Sequence, residues 1–174
     1  MQIKVSRKNF FIEELKKNFL IEREVIRKNF LNENKALRSC LNNSKIIDNL
    51  IIQIFKLISK NDKYTEKFLS ICAVGGYGRK VLAPYSDLDI LFLYKENSDL
   101  KKVKTTVEFI LFPLWDLGFK IGYAVRNITD SILFSKKDHI IRTSMLDTRL
   151  ICGSKTIYKN VMNQFKADIK KKGF

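Results

Sequence analysis

Two neighbouring stretches bring together residue types that can do chemistry. The first is Ala73-Val74-Gly75-Gly76-Tyr77-Gly78-Arg79, and the second, after a short spacer, is Pro84-Tyr85-Ser86-Asp87-Leu88-Asp89-Ile90-Leu91-Phe92. Side chains alternate along a strand, so Asp87 and Asp89 share one face while Leu88 and Ile90 point into a core. Two ionised carboxylates that close repel each other unless a cation lies between them. Hard oxygen ligands suit Mg²⁺, which keeps several waters and completes its shell with substrate phosphates. Gly75 and Gly76 allow backbone amides to approach a triphosphate with no side chain in the way, and Arg79 can reach its charge. Ser86 is placed either to touch phosphate or to make the turn before the strand. Together these are the parts for nucleotidyl transfer by metal-assisted in-line displacement. The stretch is not a Walker P-loop, because no Gly-Lys-Ser/Thr follows, and not a dinucleotide fingerprint, because Val81 stands where the third glycine is needed.

The elements that must hold these residues follow from the pattern around them. Phe68 to Val74 is a short run of β formers that stops at the glycines, Leu88 to Tyr94 is a second, and Phe119 to Arg126 reads as a third strand. From about Ser6 to Lys60 apolar residues recur at three- and four-residue steps, the mark of helices, with Asn42-Asn43-Ser44 as a break and cap between two of them. This half reads as scaffold. Asp99 opens a helix through about Leu117, Pro113 is expected to kink it, and Gly118 to stop it. Thr129 is expected to cap a short helix, Ser144 to Cys152 to be extended in part, and Ser154 to cap a last helix ending in Lys170, Lys171 and Lys172. The reading is an α/β (α+β) chain, a helical segment over 1–62 followed by a core over 63–174. In that core a small mixed sheet has flanking helices, expected on one side.

Composition bounds the functional classes. The chain has 174 residues, 45% of them hydrophobic, which is enough for one domain with a sizeable core. Lys and Arg number 33 against 18 Asp and Glu, a net charge of +15. The lysines are dispersed among acids and no RNP or zinc-finger signature occurs, so nucleic acid is not expected as the primary partner. Three scattered cysteines and one histidine, His139, argue against a disulfide framework or a zinc site and for a reducing compartment. Apolar runs such as Phe109 to Trp115 fall far short of the ~20 residues a membrane span needs, and Met1 to Arg7 is polar. The expectation is a cytoplasmic protein. Trp115, Phe109, Phe112 and Phe119 read as core, Cys72 as buried filler and His139 as a solvent-facing or capping residue.

A Gly-Gly turn, a spacer and Asp-x-Asp between apolar residues resemble the DNA polymerase β-like nucleotidyltransferase superfamily. The fuller strings GGYGR, LAPYSDLDILFLY, LWDLGFKIGYAVR and LDTRLICG, with Arg38 and Ile47-Asp48-Asn49-Leu50 upstream, are similar to the N-terminal catalytic domain of the bacterial PII uridylyltransferase/uridylyl-removing enzymes. The resemblance runs from about Leu37 to the C-terminus. It implies the polymerase β-like fold, with Gly75 and Gly76 holding the triphosphate of UTP, Asp87 and Asp89 binding Mg²⁺, and Arg79 supporting the loop or the phosphates. UMP would pass to a tyrosine of the PII signalling protein. Many superfamily members use a third carboxylate on a later strand. Phe119 to Arg126 contains none, and Tyr123 stands where this family usually has His. Asp147 in Leu146-Asp147-Thr148-Arg149-Leu150 matches another motif, and two readings stay open for it, a metal ligand or a partner of Arg149.

Relatives continue into an HD-type hydrolase domain and ACT domains. The chain is expected to be truncated relative to them, and one histidine cannot supply an HD pair for uridylyl removal. Two other functions stay open: AMP transfer to a protein or small molecule by the same fold, and a non-catalytic remnant that binds nucleotide or a partner.

Overall fold

The computed structural model describes residues 2–60 and 65–172, and side chains over 9–60 and 65–171. Two long helices come first, α1 (Gln2–Glu33) and α2 (Ala36–Ser59), joined at Asn34, whose φ of +51° is the left-handed conformation that asparagine tolerates. The expected break at 42–44 does not occur, and α2 runs straight through it. Asn43 and Ser44 have the chemistry of caps, but both are buried, and they bind backbone of the later spacer instead of ending a helix.

The chain continues as α3 (Thr65–Phe68), β1 (Leu69–Ala73), α4 (Gly75–Gly78), β2 (Leu88–Tyr94), α5 (Leu100–Asp116), β3 (Ile121–Arg126), α6 (Ile128–Lys137), α7 (His139–Leu146), β4 (Arg149–Gly153) and α8 (Lys155–Lys172). Asp99 caps α5, accepting from the Lys101 and Lys102 amides at 2.9 and 3.4 Å. The helix continues through Pro113 to Asp116, and Gly118 at φ +80° follows its end. The cap of α6 is Asn127, two residues before the expected Thr129, its side chain accepting from Asp130 N at 2.7 Å. Of the 144–152 stretch only the part from Arg149 is strand, because α7 runs to Leu146.

The four strands lie in the order β3-β2-β1-β4. β1 is antiparallel to both β2 and β4, while β2 and β3 are parallel and connected through α5, as a parallel pair requires. Alternation then sorts the side chains into two cores. Leu69, Ile71, Ala73, Leu88, Ile90 and Phe92 pack with Ile47, Ile51 and Ile54 of α2, Val107 and Ile110 of α5, and Leu15 and Phe19 of α1. On the other face Cys72, Leu91 and Leu93 meet Met145 of α7 and Ile157, Val161 and Phe165 of α8. Helices therefore cover both faces of the sheet, not one, because both sides of β1 and β2 are apolar. The expected boundary at 62/63 lies outside the described residues, and α1 and α2 share their core with the sheet. Trp115 and Phe112 are not core. They lie on the outer side of α5, edge-on to each other at 5.7 Å and, for Trp115, to Tyr123 at 6.2 Å. Among the described residues no helix is long and apolar enough to cross a membrane.

Candidate active site

At the end of β1 the backbone stays extended at Val74 and then turns left-handed at Gly75, φ +57°, a conformation that favours glycine. Val74 N donates to Asp89 O at 3.0 Å, so the start of the turn is tied to the start of β2. Gly78 N to Val74 O, 3.0 Å, and Arg79 N to Gly75 O, 3.2 Å, close the single turn of α4. Gly78 is required by proximity, because a Cβ there would lie 1.9 Å from the carbonyl oxygen of Asp147.

Asp89 is the second residue of β2 and the only one of that strand to face solvent, while Asp87 is exposed just before the strand begins. The carboxylate of Asp89 lies between two glycines. A Cβ on Gly75 would come within 3.3 Å of its Oδ2, and one on Gly122, its register partner on β3, within 2.6 Å of its Oδ1. Burial, and then the negative charge of Asp87, push the Asp89 carboxyl above its ordinary range. The structure thus brings the two acids together at an open end of the sheet beside the glycine turn.

Arg79 leaves the end of α4 and pairs with the carboxylate of Asp147, the residue that ends α7. Its Nη2 lies 3.9 Å from the position a Gly76 Cβ would take, which sets the guanidinium alongside the turn. The expected alternative partner of Asp147, Arg149, goes elsewhere. Its Nη1 and Nη2 donate to Asp48 Oδ2 and Oδ1 at 2.8 and 3.1 Å. Two carbonyls and the largely buried Asp48 carboxylate give Arg149 a complete set of acceptors. Ser86 makes the turn, its amide donating to Ala83 O at 3.2 Å, and its side chain is exposed.

The spacer between the two motifs is held from the helical half of the chain. Leu82 is buried, its carbonyl accepts from Asn43 Nδ2 at 3.1 Å, and its amide donates to Ser44 Oγ at 3.2 Å. Arg23 of α1 stacks its guanidinium over the ring of Tyr85, 4.9 Å from the centroid.

Tyr123 pairs with Ile90 and so lies on the face opposite Asp89, with its ring against Phe92 and Trp115. On the Asp89 side β3 offers Gly122 and Ala124, so no third acid comes from this strand. Among the described residues no group of three or more His, Cys, Asp or Glu is gathered to hold a metal. The donor set is therefore two carboxylates next to open space. That fits Mg²⁺, which needs only one or two protein carboxylates when waters and phosphates supply its other ligands. The sequence pattern does not announce Gly122 as a site residue, and it presents Asn43 and Ser44 as caps, not as tethers of the spacer. A lone glycine inside a strand is the one signal that pointed to a close approach.

The profile of a family described as nucleotidyltransferase domain matches residues 51–151. The chain is similar to the bifunctional uridylyltransferase/uridylyl-removing enzyme of Caulobacter vibrioides, 38% identical over 128 residues, or 72% of this chain and 13% of the relative. The protein of the same description from Azospirillum brasilense is 44% identical over 101 residues, 57% of this chain and 10% of the relative. That from a Bradyrhizobium strain is 33% identical over 140 residues, 76% of this chain and 15% of the relative. The chain thus matches only a small part of the length of these relatives.

Proposed function

The chain belongs to the nucleotidyltransferase domain family, and from that premise we propose that it transfers UMP from UTP to a tyrosine of a PII-type signalling protein in the cytoplasm. The observation that carries the reading is the Asp87 and Asp89 pair, with Asp89 held between Gly75 and Gly122 at the mouth of the glycine turn. Similarity to proteins described as uridylyltransferases supports uracil as the base.

In this reading Asp87 and Asp89 hold Mg²⁺, and Gly75 and Gly76 leave room for the triphosphate. Arg79, fixed by Asp147, sets positive charge beside the turn. Mg²⁺ held there would supply charge to stabilise the transferring phosphoryl group and the departing pyrophosphate. The tyrosyl oxygen forms its bond to the α-phosphorus as the bond to the β-phosphate oxygen breaks, and the tyrosyl proton passes to solvent.

The test incubates the 174-residue chain with a PII protein, Mg²⁺ and α-labelled UTP or ATP, beside a D87N/D89N variant. Label transferred from UTP by the wild type alone is the expected result. Transfer from ATP would replace the reading with adenylylation, and nucleotide binding without transfer would replace it with a binding remnant.

A further inference from the structure

We infer that Asp48 and Arg149 are positioning residues for transfer, a clasp that fixes the glycine turn against Asp89. This rests on the transferase reading above. The turn α4 is four residues long and touches the site at its first residue, where Gly75 faces Asp89 Oδ2. At its other end Arg149 takes hold of the last two carbonyls. Nε donates to Gly78 O and Nη2 to Tyr77 O, both at 3.2 Å. The same guanidinium makes its two bonds to Asp48, and the buried Tyr77 hydroxyl donates to Asp48 Oδ1 at 2.7 Å. A single turn has too few internal bonds to fix its own tilt. Here the tilt is set from α2 and β4 through one carboxylate and one guanidinium, both largely buried.

Several features favour a role beyond stability. Each polar group in the cluster has a partner, and the network closes on the backbone of the residues flanking the site instead of on solvent. Burial and Asp48 together hold the Tyr77 hydroxyl well above its ordinary pKa, so it stays a donor throughout the neutral range. Arginine is needed because a fork of donors must reach a carboxylate and two carbonyls at once, which lysine cannot do. A turn displaced by a fraction of an ångström would shift Gly75 relative to Asp89, and misplacement of about 1 Å costs about 10²-fold in rate.

The experiment compares D48N, R149K and the double variant with wild type in the PII, Mg²⁺ and UTP assay, below the unfolding midpoint of each. Y77F, which removes only one donor, is included in case the charge variants do not fold. V161A, a cavity-forming change in the core on the other face of the sheet, serves as a destabilised control that leaves the clasp intact. The expected result is a kcat lower by about 10- to 100-fold for D48N and R149K, with KM for UTP within about threefold. The double variant should lose no more than about the larger single loss, because the two residues act as one unit. Y77F should fall in between, and V161A should keep wild-type kcat.

Wild-type kcat in D48N, R149K and Y77F would overturn the inference while leaving the transferase reading intact. So would losses that multiply in the double variant, or an equal loss in V161A. A wild-type chain that transfers from neither UTP nor ATP would overturn the transferase reading, and this inference with it.

Discussion

Asp89 has its charged form penalised by burial and again by the neighbouring charge of Asp87. Its folded-state pKa lies above the unfolded value, so its contribution favours the fold below the ordinary carboxylate range and is lost as pH rises through the raised value. At neutral pH, without a divalent ion, the ionised carboxylate works against folding. D89N should therefore have a thermal midpoint at or above wild type at pH 7 in chelator, and the difference should vanish near pH 3. A midpoint well below wild type at pH 7 would contradict this. Mg²⁺ with UTP should raise the wild-type midpoint by roughly 5–10 °C at a hundredfold excess over Kd, and leave D89N unmoved. Gly122 bears on the same carboxylate from β3, where an added Cβ would stand 2.6 Å from Oδ1. The far end of a short side chain can give way, so G122A should fold yet bind Mg²⁺-UTP about tenfold more weakly, a loss of ~1.4 kcal/mol. A calorimetric titration reads this directly, and unchanged affinity would show that Asp89 needs no clearance on that side.

The helices α2 and α7 do more at the site than their patterns suggested. Asn43, in the middle of α2, holds the carbonyl of Leu82 in the spacer that separates the glycine turn from the acids. N43A leaves that buried carbonyl without its donor. It should cost about 1–3 kcal/mol in urea denaturation and open the 79–87 spacer to proteolysis. Unchanged stability and cleavage would remove α2 from the account of the spacer. The strands, the turn and the acid pair were readable from sequence because each is announced locally, by a change of period or by glycine. What was not readable depends on distant partners. Asn43 and Ser44 look like helix caps until Leu82, 39 and 38 residues away, is seen to bind them. Thr129 and Asn127 are both cap formers, and only the backbone geometry selects Asn127. Trp115 and Phe112 sit at helical spacing in α5, and spacing alone does not say that their side is left uncovered. For Asp147 the sequence leaves a metal or Arg149 open and does not announce Arg79, because the pairing with Arg79 depends on how the end of α7 meets α4 while Arg149 is taken by Asp48.

Across the whole molecule, the sheet carries apolar residues on both faces and is covered on both, which leaves its end, where β2 begins, as the place where polar groups gather. There the start of β2, the turn α4 and the end of α7 meet, and α1 and α2 hold the spacer through Arg23 and Asn43. The net charge of +15 favours the approach of a triphosphate anion, while the acids reserve one spot for a cation. Electron paramagnetic resonance of Mn²⁺, standing in for Mg²⁺, titrated into the wild-type chain and the D87N/D89N variant with and without UTP, reads that arrangement directly. The expected result is Mn²⁺ held by the wild type with UTP and bound about 100-fold more weakly by the folded variant, ~2.7 kcal/mol. Equal affinity in the two proteins would contradict the assignment of these carboxylates to the metal.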